Sequence, residues 1–149
     1  MKRIVLIACA SQKKKIKSPA KDLYISTLFK YSLRYAFSMN PDKVYILSAL
    51  HHLLDLDKEI EPYDVTLSNV PKSKRRPGLK ILNPEEKEIW GKEVIHMLSM
   101  QSDLQYDKFI VLAGQEYIKP IKEHIRYLDD RLHGLPQGKR VAYLKNHIS

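Results

Sequence analysis

Short apolar segments without polar alternation constrain the fold of this chain more than any other feature. They lie within Lys2–Cys9, Val44–Leu47 and Phe109–Ala113. Segments of this kind are typical of strands that are buried on both faces of a parallel sheet. Because amphipathic segments separate them, we predict that the strands pair in parallel through right-handed helical crossovers.

Capping residues place the helices between these strands. Ser26 and Asn83 are the expected N-caps, because their side-chain oxygens can accept from amides of the first turn. Pro120 is admissible only in the first turn of its helix, because proline has no amide donor. The predicted helices cover residues 27–39, 84–100, 116–125 and 138–147, and a short edge strand covers 126–132. The expected fold is a single α/β domain over residues 1–149, a three-layer α/β/α sandwich around a central, mostly parallel four-stranded sheet.

The composition is that of a globular protein. Hydrophobic residues make up 44% of the 149 residues and charged residues 29%, which excludes a disordered chain. No apolar run is long enough for a membrane span, and a single cysteine excludes an internal disulfide or a multi-cysteine zinc site. Lysines follow the first apolar run directly, which favours a core strand over a secretory signal. We therefore expect a cytoplasmic protein with no membrane partner.

The net charge of +9 indicates a polyanionic partner, either nucleic acid or a nucleotide. Two clusters of cations, within Lys13–Lys17 and Lys72–Lys80, lie in predicted loops away from the amphipathic helices, which favours a nucleic-acid-binding face. The residues predicted to contact nucleic acid are Lys15, Lys74, Arg75, Arg76, Lys139 and Arg140. The sequence indicates neither an oligomeric state nor a cofactor.

Polar residues follow the predicted strands, where open α/β sheets bind their ligands. Cys9–Lys14, Ser48–His52, Glu61–Asp64 and Gly114–Tyr117 lie at or beyond such strand ends, so we expect them to surround one cleft. The residues predicted to bind substrate are Cys9, Ser11, Lys13, Lys14, Tyr24, Ser48, Tyr63, Gly114, Gln115 and Tyr117. Cys9 itself is more typical of a small buried hydrophobic residue than of a nucleophile.

Asp64, Glu61 and His51 are the candidates for catalysis. The carboxylates can position water or stabilise a cationic sugar, and the histidine can assist a leaving base. Asp64 and the histidine also have purely structural interpretations. Asp64 can cap amides of a turn, and one of the adjacent His51 and His52 is expected to face solvent. A metal site that combines both histidines with Asp55 is less favoured, because the spacing matches no established ligand set.

The same segments resemble a family of short phage and bacterial proteins of unknown function. The shared motifs are Cys9–Lys13, Leu23–Phe29, Ile46–Ala49, Glu61–Leu67, Trp90, Leu112–Tyr117 and Gly134–Gly138. The resemblance covers nearly the whole chain and implies a fold more than a reaction. His52 departs from the pattern, because the family has glycine at this position.

The order of elements is also similar to the uracil-DNA-glycosylase-like superfold, which includes the middle domain of archaeosine synthases. The shared order is a strand, a loop containing Cys9 and Ser11, a helix, a strand ending at Ser48, a loop with Tyr63-Asp64, and a further helix. This resemblance implies a four-stranded parallel sheet with a nucleobase pocket at the strand ends. The glycosylases' own water-activating and histidine motifs are not recognisable in the sequence.

These observations lead to two main hypotheses for function. The first is a protein that acts on a nucleobase or nucleotide, as an N-glycosidic hydrolase of the DNA glycosylase or nucleosidase kind. The second is a non-catalytic module that binds nucleic acid or a nucleotide in the same cleft. A phage protein that engages a host partner, with an incidental positive charge, is a further alternative.

Overall fold

The structure is a computed structural model that describes residues 1–148. Its strands, in chain order, are β1 (Arg3–Ala8), β2 (Ser18–Pro19), β3 (Lys43–Ser48), β4 (His52–Asp55), β5 (Glu59–Ile60), β6 (Val65–Thr66), β7 (Lys80–Ile81), β8 (Lys108–Leu112) and β9 (Tyr127–Asp130). Its helices are α1 (Ala20–Leu23), α2 (Thr27–Ser38), α3 (Pro84–Gln101), α4 (Gln115–Lys122) and α5 (Gln137–His147), and a 3-10 turn covers Lys72–Lys74.

The central sheet has five strands in the order β4-β3-β1-β8-β9. Strand β1 lies in the middle and pairs in parallel with β3 on one side and with β8 on the other. Strand β9, at the position of the predicted edge strand, lies parallel to β8. The predicted α/β fold with a mostly parallel sheet is therefore confirmed.

The predicted number of four strands was wrong, because β4 forms a hairpin with β3 and adds an antiparallel fifth strand. The sequence assigns these residues to the long polar loop, since a four-residue edge strand has almost no periodic signal. His52 opens β4 with a φ of 67°. This left-handed region favours glycine, which gives a physical reason for the glycine that the resembled family has at this position.

Hydrophobic residues cover both faces of the sheet, as neighbouring residues of β1 illustrate. Leu6 belongs to a core cluster that includes Trp90 of α3. Ile7 belongs to a second cluster that includes Phe29 of α2 and Leu144 of α5. Successive side chains of a strand point to opposite faces, so the two clusters lie on either side of the sheet.

Helix α4 contains Pro120 beyond its first turn, so the prediction that confined this proline to the first turn was wrong. The neighbouring helix makes room for it at Gly91, which is buried in α3. A Cβ atom at Gly91 would lie only 2.5 Å from the carbonyl oxygen of Pro120. The glycine thus allows α3 and α4 to pack closely.

The two predicted N-caps are confirmed. The Ser26 side chain accepts from the Phe29 amide of α2 at 3.1 Å. Asn83 and Glu86 form a reciprocal capping box at the start of α3, with bonds of 2.8 and 3.0 Å. Both helices therefore begin where local chemistry satisfies their first amides.

Short ladders fix the long loops against one another and so position the candidate site. Strand β2 pairs with β5, and Lys13 forms an isolated bridge with Tyr24. Strands β6 and β7 pair in parallel and close the basic segment between them, which contains the 3-10 turn. Among the helices of residues 1–148, none is both long and apolar enough to cross a membrane.

Candidate functional site

A cleft of about 590 Å³, here called the strand-end cleft, opens beyond the carboxyl end of β1. Its walls include Cys9, Ser11 and Lys13 from the loop after β1, and Asp64 from the segment before β6. Residues far apart in sequence thus share one wall, because parallel strands end at the same edge of the sheet. A concavity of about 310 Å³ at the opposite edge is lined by Arg3, Lys108 and Arg131, and no predicted substrate-binding residue borders it.

A smaller space of about 160 Å³, here called the terminal cavity, adjoins the strand-end cleft beyond the end of β8. The two share Cys9, Ala10 and Tyr117 among their lining residues. Gly114 and Arg140 line the terminal cavity. The two spaces together follow the ends of the central strands, where ligands of open α/β sheets bind.

Basic side chains outnumber acidic ones in the walls of the strand-end cleft. Lys13, Lys74 and Arg76 line it, and Arg76 forms an ion pair with Asp64. The Lys13 ammonium lies 4.4 Å from the centre of the Tyr63 ring, a cation–π contact. Burial lowers the pKa of Lys13, and the nearby Arg76 lowers it further, while Cys9 and Asp64 act in the opposite direction.

Tyr117, on α4, joins three segments at the floor of the cleft. Its hydroxyl lies 3.4 Å from the Cys9 sulfur and 3.3 Å from Thr66 Oγ1, and it accepts from the Leu67 amide at 3.4 Å. Burial is the main cause that raises the pKa of Tyr117, so its phenol is neutral near pH 7. The residue therefore holds Cys9 in place and is no acid–base candidate.

A hydrogen-bonded set of side-chain hydroxyls, here called the hydroxyl cluster, lies behind the cleft. It consists of Ser48, Tyr24 and Tyr63. The Tyr63 hydroxyl bonds the Tyr24 hydroxyl at 2.6 Å and Ser48 Oγ at 2.7 Å. Ser48 Oγ also accepts from the His51 amide at 3.0 Å, and the Ser48 carbonyl accepts from Trp90 Nε1 at 2.8 Å. Burial raises the pKa of both tyrosines.

The hydroxyl cluster changes the roles that the sequence suggests for its members. Tyr24 is 1% exposed and its ring meets the Tyr63 ring edge-on, so it has no free face on which a base could stack. Ser48 is fully buried beneath it. These side chains support the cleft from below and do not line it.

The predicted catalytic residues do not come together. Asp64 lines the strand-end cleft, whereas His51 does not. The His51 ring packs edge-on against the Tyr63 ring, with ring centres 5.4 Å apart. Glu61 is exposed and lies outside the cleft walls. Burial, followed by His52 and Lys58, lowers the pKa of His51. A concerted role for all three acids and bases at one substrate is therefore not supported by their positions.

Several other predicted site residues lie outside the walls of the strand-end cleft. Gln115 Nε2 donates to Asp130 at 2.7 Å, so this amide faces β9 and not the cleft. Arg75 donates from Nε to the Val70 carbonyl. The remaining predicted cations Lys14, Lys15 and Lys139 are exposed. Within the described part of the chain, no group of His, Cys, Asp or Glu side chains could hold a metal ion, so the arrangement of His51, His52 and Asp55 as ligands is not found.

Comparison with known proteins gives a family but no activity. No curated protein and no solved structure matches the chain. The model of DUF6884, a family of unknown function, matches residues 4–146. The match includes both the strand ends and the loops that form the cleft. The chain therefore belongs to DUF6884, a family of unknown function.

Proposed function

We propose that this protein binds a nucleotide unit in the strand-end cleft, either as a free nucleotide or within nucleic acid. The charge of the cleft carries the proposal: Lys13, Lys74 and Arg76 border it, and Asp64 is the one carboxylate among the described residues of its walls. Cationic side chains of this kind bind phosphate, while a carboxylate can accept from a base or a sugar hydroxyl.

The starts of two helices add to this argument. Gly114 precedes α4, Gln137 begins α5, and both residues line the terminal cavity. Amides at helix starts favour anions through their free N–H groups and the helix dipole. A volume of about 590 Å³ also lies within the range of small-molecule sites.

A second candidate function is N-glycosidic hydrolysis, and the position of Asp64 in the cleft favours it. In this reaction a water oxygen bonds to sugar C1′, the C1′–N bond breaks, and the base leaves with a proton. Asp64 would accept the proton of the attacking water or stabilise the cationic sugar. His51 takes no part in this version, because it is not among the residues that line the cleft.

Binding is tested by fluorescence anisotropy with a labelled single-stranded DNA 20-mer across a salt series. Lys74→Gln, which removes an exposed cation of the cleft wall, is expected to lower the slope of log affinity against log salt by roughly 0.7. Lys92→Gln is the matched control, because Lys92 is an exposed lysine of α3 that pairs only with Glu88. Affinity that does not change with salt would remove the proposal for nucleic acid.

Hydrolysis is tested by chromatographic detection of free base after incubation with DNA, RNA and mononucleotides. Asp64→Asn is expected to lower the rate at least about 100-fold, whereas Glu61→Gln, at an exposed position outside the cleft, should retain it. Equal rates in the wild type and Asp64→Asn would exclude this role for Asp64. Binding without any release of base would favour the non-catalytic module.

A further inference from the structure

Ser32 stands out among the buried polar side chains of this protein. The buried polar residues are Ser18, Ser32, Ser48 and Asp107. Ser18 donates to the Ile16 carbonyl, Ser48 belongs to the hydroxyl cluster, and Asp107 accepts from two backbone amides. Ser32 is 3% exposed and lines the terminal cavity, and its hydroxyl makes no hydrogen bond to protein within residues 1–148 but stays accessible from the cavity.

The Ser32 oxygen is not sealed off from solvent, because Asp130 Oδ1 is the one buried side-chain N or O atom without a partner in the described part of the chain. A polar group without a protein partner beside a cavity bonds to what occupies that cavity, either water or a ligand. The cavity that Ser32 lines also contains further donors. A ligand atom that accepts hydrogen bonds would satisfy them together.

Arg140 is the second donor of the terminal cavity. Its Nε donates to the Leu135 carbonyl at 3.2 Å, which fixes the side chain. Its terminal nitrogens have no protein partner in the part of the chain that the structure describes. Nη1 lies 3.6 Å from the position that a Cβ of Gly114 would occupy, so the guanidinium reaches the start of α4. A fixed guanidinium with free terminal N–H groups is suited to bidentate binding of an oxyanion.

Backbone amides supply the remaining donors. Neither Gly114, the N-cap of α4, nor Pro136, the N-cap of α5, provides a side-chain acceptor for the first turn. Helix starts of this kind leave amide N–H groups free for a ligand. The terminal cavity thus combines a hydroxyl, a guanidinium and two helix starts, all of which are hydrogen-bond donors to an anion.

Residues of the hydrophobic core form one wall of the terminal cavity. They are Phe29, Leu112 and Leu132, and each is 2% exposed. A nucleic-acid strand cannot continue through this wall, because a chain needs an exit on both sides of an internal phosphate. A terminal phosphate needs only one opening, which the adjoining strand-end cleft provides.

We propose that the terminal cavity, through Ser32, Arg140 and the starts of α4 and α5, binds the phosphomonoester of a free mononucleotide whose nucleoside lies in the strand-end cleft. This inference rests on the proposed function and narrows its substrate class from any nucleotide unit to mononucleotides. The phosphate accepts from the Ser32 hydroxyl and from both terminal nitrogens of Arg140. The base and the sugar then lie beside Lys13 and Asp64.

The test is isothermal titration calorimetry with the ribo- and deoxyribonucleoside 5′-monophosphates, the corresponding nucleosides, and inorganic phosphate. At least one monophosphate is expected to bind, and its nucleoside about tenfold or more weakly, because charge-assisted hydrogen bonds are lost. Ser32→Ala and Arg140→Gln are each expected to weaken binding of that monophosphate by about tenfold. An unchanged or higher melting temperature of Ser32→Ala shows that the variant is folded.

Matched controls lie on the same helix as Ser32. Ser38→Ala removes a hydroxyl of α2 that donates to the Tyr35 carbonyl, and Arg34→Gln removes an exposed cation of α2. Neither residue lines the terminal cavity. Both controls should bind the monophosphate with an affinity within about twofold of the wild type, because the phosphate contacts stay intact.

The outcomes separate the inference from the function on which it rests. If monophosphates bind equally well to Ser32→Ala and Arg140→Gln, the terminal cavity is not the phosphate site, while nucleotide binding stands. If a 5′-phosphorylated oligonucleotide binds and mononucleotides do not, the inferred substrate class is wrong and nucleic-acid binding stands. If inorganic phosphate binds through Ser32 but no nucleotide or oligonucleotide binds, the nucleotide part of both proposals is overturned.

Discussion

The hydroxyl cluster and the terminal cavity lie at the same edge of one sheet and use similar side chains, yet they differ in hydrogen bonding. In the hydroxyl cluster, the Tyr63 hydroxyl bonds the hydroxyls of both Tyr24 and Ser48. In the terminal cavity, Ser32 has no partner among the described residues and Arg140 uses only its Nε. The first set of hydroxyls is satisfied within the protein. The second set of donors is free to bond water or a ligand in the cavity.

This difference separates a structural role from a binding role more clearly than residue type does. Tyrosine, serine and histidine at strand ends all suggest chemistry in the sequence, but those of the hydroxyl cluster are engaged with one another. A satisfied buried network makes the local structure rigid and specific. Donors that lack protein partners and line a cavity are free to fix the orientation of a ligand.

The largest expected effect is in the hydroxyl cluster. Tyr63→Phe leaves the Tyr24 hydroxyl buried without a partner, so the free energy of unfolding should fall by about 2 kcal/mol. Chemical denaturation monitored by fluorescence measures this loss in the free energy of unfolding. Tyr31→Phe is the control, because Tyr31 is only half-buried and its hydroxyl makes no hydrogen bond in the described chain. Adding Tyr24→Phe to Tyr63→Phe should restore part of the lost free energy of unfolding, because it removes the unpaired Tyr24 hydroxyl. Equal losses in Tyr63→Phe and Tyr31→Phe would contradict a structural role for the hydroxyl cluster.

In the terminal cavity, removal of a hydroxyl should have the opposite effect on the free energy of unfolding. Ser32→Ala removes a hydroxyl that has no protein partner and raises helix propensity, so the free energy of unfolding should increase by roughly 0.5 kcal/mol. Ser38→Ala, which loses a bond of 2.7 Å to the Tyr35 carbonyl, should not show this gain. Thermal denaturation without ligand measures both variants. A loss of stability in Ser32→Ala would mean that its hydroxyl is satisfied in solution.

The smallest expected effect is on the pH dependence of stability. Burial lowers the pKa of His51 below 6.5, so the unfolded chain binds this proton more readily than the folded chain. The contribution of His51 to stability is therefore complete above its unfolded pKa and is lost as the pH falls below it. His51→Gln should show a smaller fall in melting temperature between about pH 7.5 and 5.5 than the wild type. His96→Gln, at an exposed position of α3, should show the same fall in melting temperature as the wild type. If His51→Gln also showed the wild-type fall, desolvation of His51 would be contradicted.

The sequence predicts the parts of this fold that depend on local chemistry. Apolar runs identify β1, β3 and β8, and the caps at Ser26 and Asn83 follow from side-chain oxygens near first-turn amides. Strand β4 escapes prediction, because four residues at a sheet edge depend on pairing with β3 and on a turn with His52 at positive φ. Such features are set by tertiary contacts and not by periodicity.

The candidate site is predicted in outline only. The parallel strands bring Cys9, Lys13 and Asp64 to one cleft, as their positions after strands suggest. The direction of a side chain is a tertiary property, so the sequence does not show that His51 packs against Tyr63 outside the cleft walls or that Gln115 faces Asp130. Both depend on contacts that form only in the folded chain.

Ser32 was missed, although the sequence contains a signal for it. Phe29, Ser32 and Ala36 lie three and four positions apart, so they share one face of α2, and all are buried. A serine on an otherwise apolar helix face is a polar group that needs a partner. That interruption of the apolar face, more than any charged loop, marks the cavity.

The central position of β1 also bears on how the protein forms during synthesis. Arg3 pairs with Lys108, and Ile4 pairs with both Lys43 and Phe109. On a ribosome, β1 emerges before β8 and must wait for it before its second edge is covered. Native contacts between such distant positions slow folding. Cys9 therefore acquires its final surroundings only after β8 and α4 have been made.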